Sequence, residues 1–250
     1  MFDDQGPFNA RFEWGEAGVH RLAPNADIVV VVDVLSFATA VDVAVGRGAV
    51  VYPCRWRDAR AERFAAQCQA ILAGARVGGG QAGSYSLPPA SLLTIPGGTR
   101  LVLPSPNGAT LSQLTAEHGA IVVAGCLRNA AAVADLARAH GGSVAVIAAG
   151  ERWAHAGDLT GSLRPAVEDL VGAGAILAAL APGAPAPEAV AAVAAWRAAA
   201  PMLPQFLAAC ASGRELRERG FARDVELAAQ FDVSPTVPYL ADGAFRAWSG

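Results

Sequence analysis

The feature that most constrains the fold of this chain is a run of five β-branched residues, from Ile28 to Val32, followed at once by Asp33. β-Branched side chains favour extended backbone, and an unbroken apolar run is typical of a strand that is buried on both faces. Such strands belong to parallel sheets that helices cover on both sides. The run therefore predicts a central strand of an α/β sheet, with a carboxylate where the strand ends.

Short apolar runs alternate with helix-like segments along the chain as far as residue 180. Asp58 is placed to cap one of these helices, since an aspartate side chain accepts hydrogen bonds from the first free N–H groups. Further strands are predicted at 50–52, 101–103, 121–124 and 144–148. Helices are predicted at 37–45, 58–73, 109–118, 129–140 and 166–180, and the alanine-rich remainder predicts helices near 189–200, 204–211 and 221–231.

This alternation favours an α/β fold, layered α/β/α around a largely parallel or mixed sheet, with a helical C-terminal part. A chain of 250 residues can bury a large core as one domain. We expect residues 1–250 to form a single compact unit. The alternative is two lobes, about 1–95 and 96–250, with the functional site between them.

Composition excludes several classes of function. All 19 basic residues are arginine, so the chain has no lysine for a Schiff base or a P-loop. The net charge of −3, without a basic tract, argues against nucleic acid. No apolar run approaches a membrane span, and the acidic N-terminus is unlike a signal peptide, so we expect a cytoplasmic protein without a membrane partner. The four cysteines are too far apart in the sequence to predict a zinc site or disulfides, and we expect buried free thiols.

Polar residues follow four of the predicted strands. Ligands in open α/β sheets bind at the carboxyl ends of strands, where small hydroxyls, helix N-termini and guanidinium groups can hold an anion. We therefore predict that Asp33 is catalytic and that the others bind substrate. The predicted substrate-binding residues are Ser36 after the first strand, Ser105, Asn107 and Gly108 in the sequence PSPNGAT (104–110), and Arg128 and Asn129 after the strand at 121–124.

Each of these residues also has a structural interpretation. Asp33 can cap the following helix, Asn107-Gly108 can be a plain strand-to-helix turn, and Arg128 can be a surface residue. The residues by themselves leave these alternatives open.

Carboxylates predict the type of metal. Glu168 and Asp169 are expected in the first turn of the helix at 166–180, where the helix dipole alone would favour them. Together with Asp33 they could also supply the hard oxygen ligands that Mg²⁺ prefers, and Glu151 could contribute. We therefore predict a Mg²⁺ site made by Asp33, Glu168 and Asp169.

The ordered motifs VVDVLSFATA, NGAT, GCLRNA, AAGERW and PAVEDLVGAGAI resemble those of the 2-phosphosulfolactate phosphatase family. The resemblance runs from about 28 to 180, and the segments 210–216 and 224–228 also look like the C-terminal part of the family. It implies a Mg²⁺-dependent phosphatase on an α/β fold. The substrate that it implies is (R)-2-phospho-3-sulfolactate, cleaved to 3-sulfolactate and phosphate in coenzyme M synthesis.

The resemblance also implies roles for particular residues. The strand-end aspartate of the family falls on Asp33, its Asn-Gly turn on Asn107-Gly108, and its Glu-Asp pair on Glu168-Asp169; its Gly-x-x-x-Asn element falls on Gly125 and Asn129. Two departures stand out. Ser36 occupies a place where many members have arginine, and Ala75 stands where many have glutamate, which would alter anion recognition and one metal ligand.

Two classes of function follow from these residues. The first is an enzyme that hydrolyses a small acidic phosphomonoester, its partner being a phosphorylated and in one version sulfonated acid. The alternative is a non-catalytic relative that still binds a small anion, which the departures at Ser36 and Ala75 favour. A structural role for the alanine-rich helices is a third interpretation, and a homodimer is an alternative to a monomer.

Overall fold

The computed structural model describes residues 2–74, 85–153 and 161–249. Its strands are β1 (Ala10–Trp14), β2 (Ile28–Val32), β3 (Val50–Cys54), β4 (Ile71–Leu72), β5 (Arg100–Pro104), β6 (Ile121–Gly125), β7 (Val144–Ala148), β8 (Glu151–Arg152), β9 (Leu163–Arg164), β10 (Pro238–Ala241) and β11 (Ala244–Ala247). Its α-helices are α1 (Gly15–Leu22), α2 (Phe37–Gly46), α3 (Ala59–Gln67), α4 (Gly108–Ala116), α5 (Ala130–His140), α6 (Val167–Leu180), α7 (Pro187–Ala199), α8 (Leu203–Ala209), α9 (Ala211–Glu218) and α10 (Ala222–Ala228).

Nine strands form one mixed sheet in the order β1-β7-β2-β6-β10-β11-β3-β5-β4. β1, β7, β2 and β6 run parallel, as do β3, β5 and β4, and the antiparallel hairpin of β10 and β11 joins these two blocks. The predicted α/β fold with a largely parallel or mixed sheet is therefore confirmed. The sheet combines strands from both halves of the chain, and the division into one or two lobes stays a prediction.

β2 lies inside the first parallel block, as its sequence predicts. It pairs with β6 on one side and β7 on the other, and all five of its residues are buried. Alternate side chains enter different cores. Val30 packs in the core formed with α5 and α6, whereas Val29 and Val31 pack in the core formed with α1, α2 and α4. Helices cover both faces, which is why the strand needs apolar residues at every position.

α2 is buried along nearly its whole length. Each residue from Phe37 to Val45 is buried, including Thr39 and Asp42. The Thr39 hydroxyl donates to the carbonyl of Val34, and Asp42 forms an ion pair with Arg128, so both polar side chains have partners. This burial fixes the start of α2, and therefore Asp33, against the sheet.

The structure corrects several predicted elements. Asp58 caps α3 as predicted, by accepting from the N–H of Arg60, but the helix ends at Gln67 and the next residues form β4. The C-terminal part is helical only as far as α10, because 238–247 form the β10–β11 hairpin. Its turn has positive φ at Asp242 and Gly243, the Asp-Gly signature of a tight hairpin.

Two expectations from composition were also tested. The four cysteines are free, as predicted, and three of them are buried, but Cys68 is only partly buried. Within the described part of the chain, every helix is too short or too polar to cross a lipid bilayer.

Candidate active site

Asp33 joins the starts of two helices. Its Oδ1 accepts from the N–H of Phe37 at 3.1 Å, at the start of α2, and its Oδ2 accepts from the N–H of Gly108 at 2.9 Å, at the start of α4. A carboxylate is stabilised at helix N-termini by these orphan donors and by the helix dipoles. The PSPNGAT turn therefore directs its first helical N–H at a buried carboxylate of the protein.

Gly108 is required by this close approach. A Cβ at this position would lie 2.4 Å from Cδ1 of Phe37 and 2.8 Å from Oδ2 of Asp33, both far inside van der Waals contact. Only glycine therefore allows α4 to begin so close to α2. The Asn-Gly step is explained by packing between the two helices as well as by the turn.

Asp169 ties two strand ends together from the first turn of α6. Its Oδ1 accepts from the N–H of Val34 at 2.7 Å, after β2, and its Oδ2 accepts from the N–H of Gly150 at 2.9 Å, after β7. Burial raises the pKa of Asp169 well above its usual range, and the negative charges of Asp33 and Glu168 add to this. Both oxygens of Asp169 accept hydrogen bonds from backbone N–H groups, as both oxygens of Asp33 do.

Glu168 differs from its neighbour. Its side chain is buried, and its Oε2 has no hydrogen-bond partner in the described residues. Cys210 lies beside it: burial is the main cause that raises the pKa of this thiol to about 12, and the charge of Glu168 adds to it. A buried carboxylate oxygen without a donor is rare in proteins and marks a place where a cation or a ligand proton would be stabilised.

Glu151 is the fourth carboxylate, and Asn107 holds it. Oε2 of Glu151 accepts from Nδ2 of Asn107 at 3.0 Å. The pKa of Glu151 is raised to about 7, mainly by burial and then by the charge of Asp33, while the hydrogen bond from Asn107 opposes the increase. The group is therefore poised to take up and release a proton near neutral pH. We refer to Asp33, Glu151, Glu168 and Asp169 as the carboxylate cluster.

Two arginines border the carboxylate cluster. Arg57 is exposed; desolvation lowers its pKa, and the charges of Glu151 and Asp33 oppose this change. Arg164 pairs with Glu151 across the β8–β9 ladder, and its Nη2 donates to the hydroxyl of Ser212 at 3.1 Å. Both are suitable for neutralising an anion that approaches the carboxylates.

Sequence reasoning missed both arginines. Arg57 lies shortly after the end of β3. The rule that functional residues follow strand ends could have found it, if the end of the strand predicted at 50–52 had been considered with the other four. Arg164 lies in a sequence without a clear pattern, and only the pairing of β8 with β9 places it opposite Glu151.

The structure brings together most of the residues predicted from the sequence. Asp33, Asn107, Gly108, Glu168 and Asp169 meet at the carboxylate cluster through the bonds and charges described above. Ser36 is buried directly before α2, and Ser105 is buried directly after β5, its N–H donating to the carbonyl of Cys54. Ala75 lies outside the described residues.

Arg128 and Asn129 make structural contacts. Nε of Arg128 is 2.9 Å from Oδ2 of the buried Asp42, and its Nη1 donates to Gln230. Oδ1 of Asn129 accepts from the N–H of Cys126, and its Nδ2 donates to the carbonyls of Ala124 and Thr236. None of these bonds involves the carboxylate cluster, so a role for either residue in substrate binding stays a prediction.

The carboxylate cluster is chemically suited to a hard cation. Its donors are carboxylate oxygens, and a cation would satisfy the unpartnered Oε2 of Glu168. In residues 2–74, 85–153 and 161–249, no group of three or more His, Cys, Asp or Glu side chains is arranged as a complete metal site. Mg²⁺ is usually held by only one or two carboxylates, with water and substrate phosphate oxygens completing its shell. The residues therefore fit a Mg²⁺ ion that binds together with a phosphate group.

The fold and the site together define the class of the protein: an α/β enzyme with an acidic active site where strands end and helices begin. The family model of 2-phosphosulpholactate phosphatase matches residues 18–243. The chain therefore belongs to the 2-phosphosulpholactate phosphatase family, a family of phosphoric monoester hydrolases, and the predicted resemblance is confirmed. No curated protein matches the chain significantly.

Proposed function

We propose that the protein is a Mg²⁺-dependent phosphatase that hydrolyses a small acidic phosphomonoester at the carboxylate cluster. The observation that carries the proposal is the buried Oε2 of Glu168, which has no hydrogen-bond partner among the described residues and lies within a group of four carboxylates. Like charges packed together without a cation raise each other's pKa, as they do for Asp169, and a bound cation relieves that repulsion. Membership of the family supports the same chemistry.

Glu168, Asp33 and Asp169 are the residues that would hold Mg²⁺. Glu168 offers an oxygen that accepts no hydrogen bond from the described residues, whereas both oxygens of Asp33 and of Asp169 already accept backbone N–H groups. The bound ion supplies charge neutralisation for the transferring phosphoryl group. Asp169 then serves mainly to keep Val34 and Gly150, and therefore the ends of β2 and β7, in place.

The side chains around the carboxylate cluster have separate roles. Arg57 would pair with phosphoryl oxygens, because it is exposed and its pKa responds to the charges of Glu151 and Asp33. Glu151, protonated near neutral pH and oriented by Asn107, would donate its proton to the leaving alkoxide oxygen. Asp33 would either attack phosphorus or help to hold the ion, and these two versions differ in whether a phosphoryl-enzyme forms.

The family provides the substrate to test first. By resemblance it is (R)-2-phospho-3-sulfolactate, cleaved to 3-sulfolactate and phosphate, the reaction used in coenzyme M synthesis. The guanidinium groups of Arg57 and Arg164 are the charges available to an acidic ligand at the edge of the carboxylate cluster.

A second candidate function is anion binding without catalysis. It is favoured by the missing three-ligand metal group among the described residues and by Ser36 in place of the arginine common in the family. In this version the cluster binds the ligand but does not assemble a competent metal site.

Phosphate release separates the two functions. We expect the purified protein to hydrolyse p-nitrophenyl phosphate and (R)-2-phospho-3-sulfolactate in the presence of Mg²⁺. Hydrolysis should stop when the ion is chelated. Isothermal titration calorimetry with Mg²⁺ alone, on wild type and Glu168→Gln, tests the cation site without relying on turnover. Ligand binding without phosphate release would reject the enzyme and support the anion-binding function.

A further inference from the structure

A cavity of about 290 Å³ lies beside the carboxylate cluster. Asn107 and Glu151, which are joined by a hydrogen bond, form part of its wall. Asn107 directly precedes Gly108, whose N–H binds Asp33, so this wall borders the place where phosphate chemistry is proposed. A water molecule occupies about 30 Å³, so the cavity can hold a group much larger than phosphate. Its position and size suit the organic part of a phosphate ester.

The wall of this cavity is largely apolar. Trp14, Leu111, Ala149 and Leu163 line it, and they come from β1, α4, the end of β7 and β9. Leu163 packs on bare backbone, because a Cβ on Gly150 would lie only 2.7 Å from its Cδ1. Aliphatic and aromatic walls favour an apolar group by removing its surface from water.

The charges of the wall are unfavourable for a ligand with several acid groups. Its described residues include two acidic side chains, Glu16 and Glu151, and one basic side chain, Arg152. Nη2 of Arg152 lies 2.9 Å from Oε1 of Glu16. Arg152 could exchange Glu16 for one ligand carboxylate, but a second acid group would meet the negative charges of Glu16 and Glu151, because Arg57 and Arg164 are not among the described residues of this wall.

We propose that this cavity binds the organic part of the phosphomonoester and selects an alcohol with an apolar side chain and a single carboxylate over one with a second acid group. This inference rests on the proposed function, because the cavity adjoins the proposed phosphate site. The favoured substrates are phosphate esters of 2-hydroxy acids with alkyl or aryl side chains. The sulfonated ester is then a poorer substrate than its apolar counterpart.

Two hydroxy acids of nearly equal shape test this selection directly. In 2-hydroxy-4,4-dimethylpentanoate a tert-butyl group replaces the sulfonate of 3-sulfolactate. We expect calorimetry to give a Kd at least about tenfold lower for the tert-butyl acid. Its binding should change the tryptophan fluorescence of the wild type but not of Trp14→Phe, since Trp14 lines the cavity. Equal or tighter binding of 3-sulfolactate, or a signal that survives in Trp14→Phe, would overturn the inference.

A positive charge added to the cavity wall tests whether this cavity makes the selection. Leu163 is 38% exposed, so Leu163→Arg should fold and should add a cation to the cavity wall. We expect this variant to bind the tert-butyl acid about tenfold more weakly and 3-sulfolactate about tenfold more tightly than wild type does. Met202→Arg adds the same charge at an exposed site that is not part of the wall and should leave both affinities unchanged. An unchanged preference in a folded Leu163→Arg would place the selection elsewhere and reject this cavity.

Kinetics distinguish failure of this inference from failure of the proposed function. The phosphate esters of the two acids are compared with p-nitrophenyl phosphate in the presence of Mg²⁺. If no ester is hydrolysed, the proposed function fails, while the affinities of the two hydroxy acids still decide what the cavity selects. If the sulfonated ester has the higher kcat/KM, the proposed function stands and the cavity inference is overturned.

Discussion

The four carboxylates of the site, three of them buried and Glu151 half-buried, form two pairs with opposite surroundings. Asp33 and Asp169 use all four of their oxygens to accept backbone N–H groups, which join two helix starts and two strand ends. Among the described residues, one oxygen of Glu168 has no hydrogen-bond partner, and Glu151 has one side-chain hydrogen bond and a pKa of about 7. The aspartates hold the backbone together, whereas the glutamates retain unsatisfied capacity for a cation or a proton.

This difference shows how one acidic site can be both stable and reactive. Hydrogen bonds from backbone amides favour an ionised carboxylate, whereas burial without donors destabilises it. The aspartates therefore keep four segments in register, whereas burial and the charge of Asp33 leave Glu151 poised to exchange a proton. Substitutions that remove charge but keep shape should consequently affect the two pairs in opposite ways.

The largest effect is expected for Asp33→Asn, with loss of both activity and stability. Activity should fall by more than about 10³-fold, because an amide is a poor Mg²⁺ ligand and cannot attack phosphorus. The free energy of unfolding should fall by about 1–3 kcal/mol, since the amide nitrogen would face the N–H of Phe37 or Gly108 and leave a buried donor unsatisfied. Denaturant unfolding and phosphate release measure the two effects.

Asp135→Asn is the matched control for this variant, because Asp135 is exposed on α5. An Asp33→Asn protein as stable as this control would break the comparison, since Asp33 would then not hold the backbone. Acid-quench trapping of labelled phosphate on wild-type protein would separate the nucleophile from the metal ligand.

Glu168→Gln should lower activity without lowering stability, in contrast to Asp33→Asn. The amide loses the charge that would hold Mg²⁺, so kcat/KM should fall on the order of 10²-fold and calorimetry should show weaker Mg²⁺ binding. Stability should be unchanged or higher, because an unpartnered buried charge is removed. Glu226→Gln on the exposed face of α10 is the control. Unchanged Mg²⁺ affinity would remove Glu168 from the ion site.

Asn107→Ala tests how a hydrogen bond controls the pKa of Glu151. Its side chain donates to Glu151, and this bond lowers the pKa of that carboxyl, so its loss should raise the pKa further. We expect kcat/KM to fall by about 10²-fold and the pH profile to move to higher pH, with a smaller change in stability. Gln113→Ala removes hydrogen bonds from the same helix to Arg55 and Pro53 and should leave the profile unmoved. A profile identical to that of wild type would make Asn107 a scaffold residue.

The structural role of Asp33 and the elements around it could be predicted from the sequence. The properties of Glu151 and Glu168 could be predicted only in part. The β-branched run fixed β2 because such residues suit only a doubly buried strand, and Asp33 was recognised both as a helix cap and as a site residue. The Asn-Gly step placed α4 correctly. These features depend on local backbone preferences, which single residues report.

What could not be predicted depends on long-range pairing. The antiparallel hairpin β10–β11 was overlooked because alanine-rich sequence dominated the C-terminal part, although Asp242-Gly243 carried the turn signal. β1 was also missed, despite alternating apolar and polar residues from Ala10 to Trp14. That Asp169 would bind the N–H groups of Val34 and Gly150 could not be read from a first-turn carboxylate, since the dipole alone explains such a residue.

The smallest predicted effect concerns the pH dependence of stability in Glu151→Gln. In the folded protein the pKa of Glu151 is about 7, above its ordinary value of 4.5. Below pH 4.5 the carboxyl is protonated in both states and costs nothing. As pH rises from 4.5 to 7, the unfolded chain releases this proton first, so the folded state loses stability relative to it, and the full cost is reached above pH 7.

Glutamine removes this cost and can still accept the hydrogen bond from Asn107. In the presence of chelator, Glu151→Gln should therefore match wild type at pH 4 and exceed its free energy of unfolding by about 1–3 kcal/mol at pH 8. Glu226→Gln should follow the wild-type curve. Urea unfolding at several pH values measures the difference, and adding Mg²⁺ should reduce it, because the ion relieves the same repulsion. If the two curves stay parallel from pH 4 to 8, burial and charge repulsion do not raise the pKa of Glu151 in the folded protein.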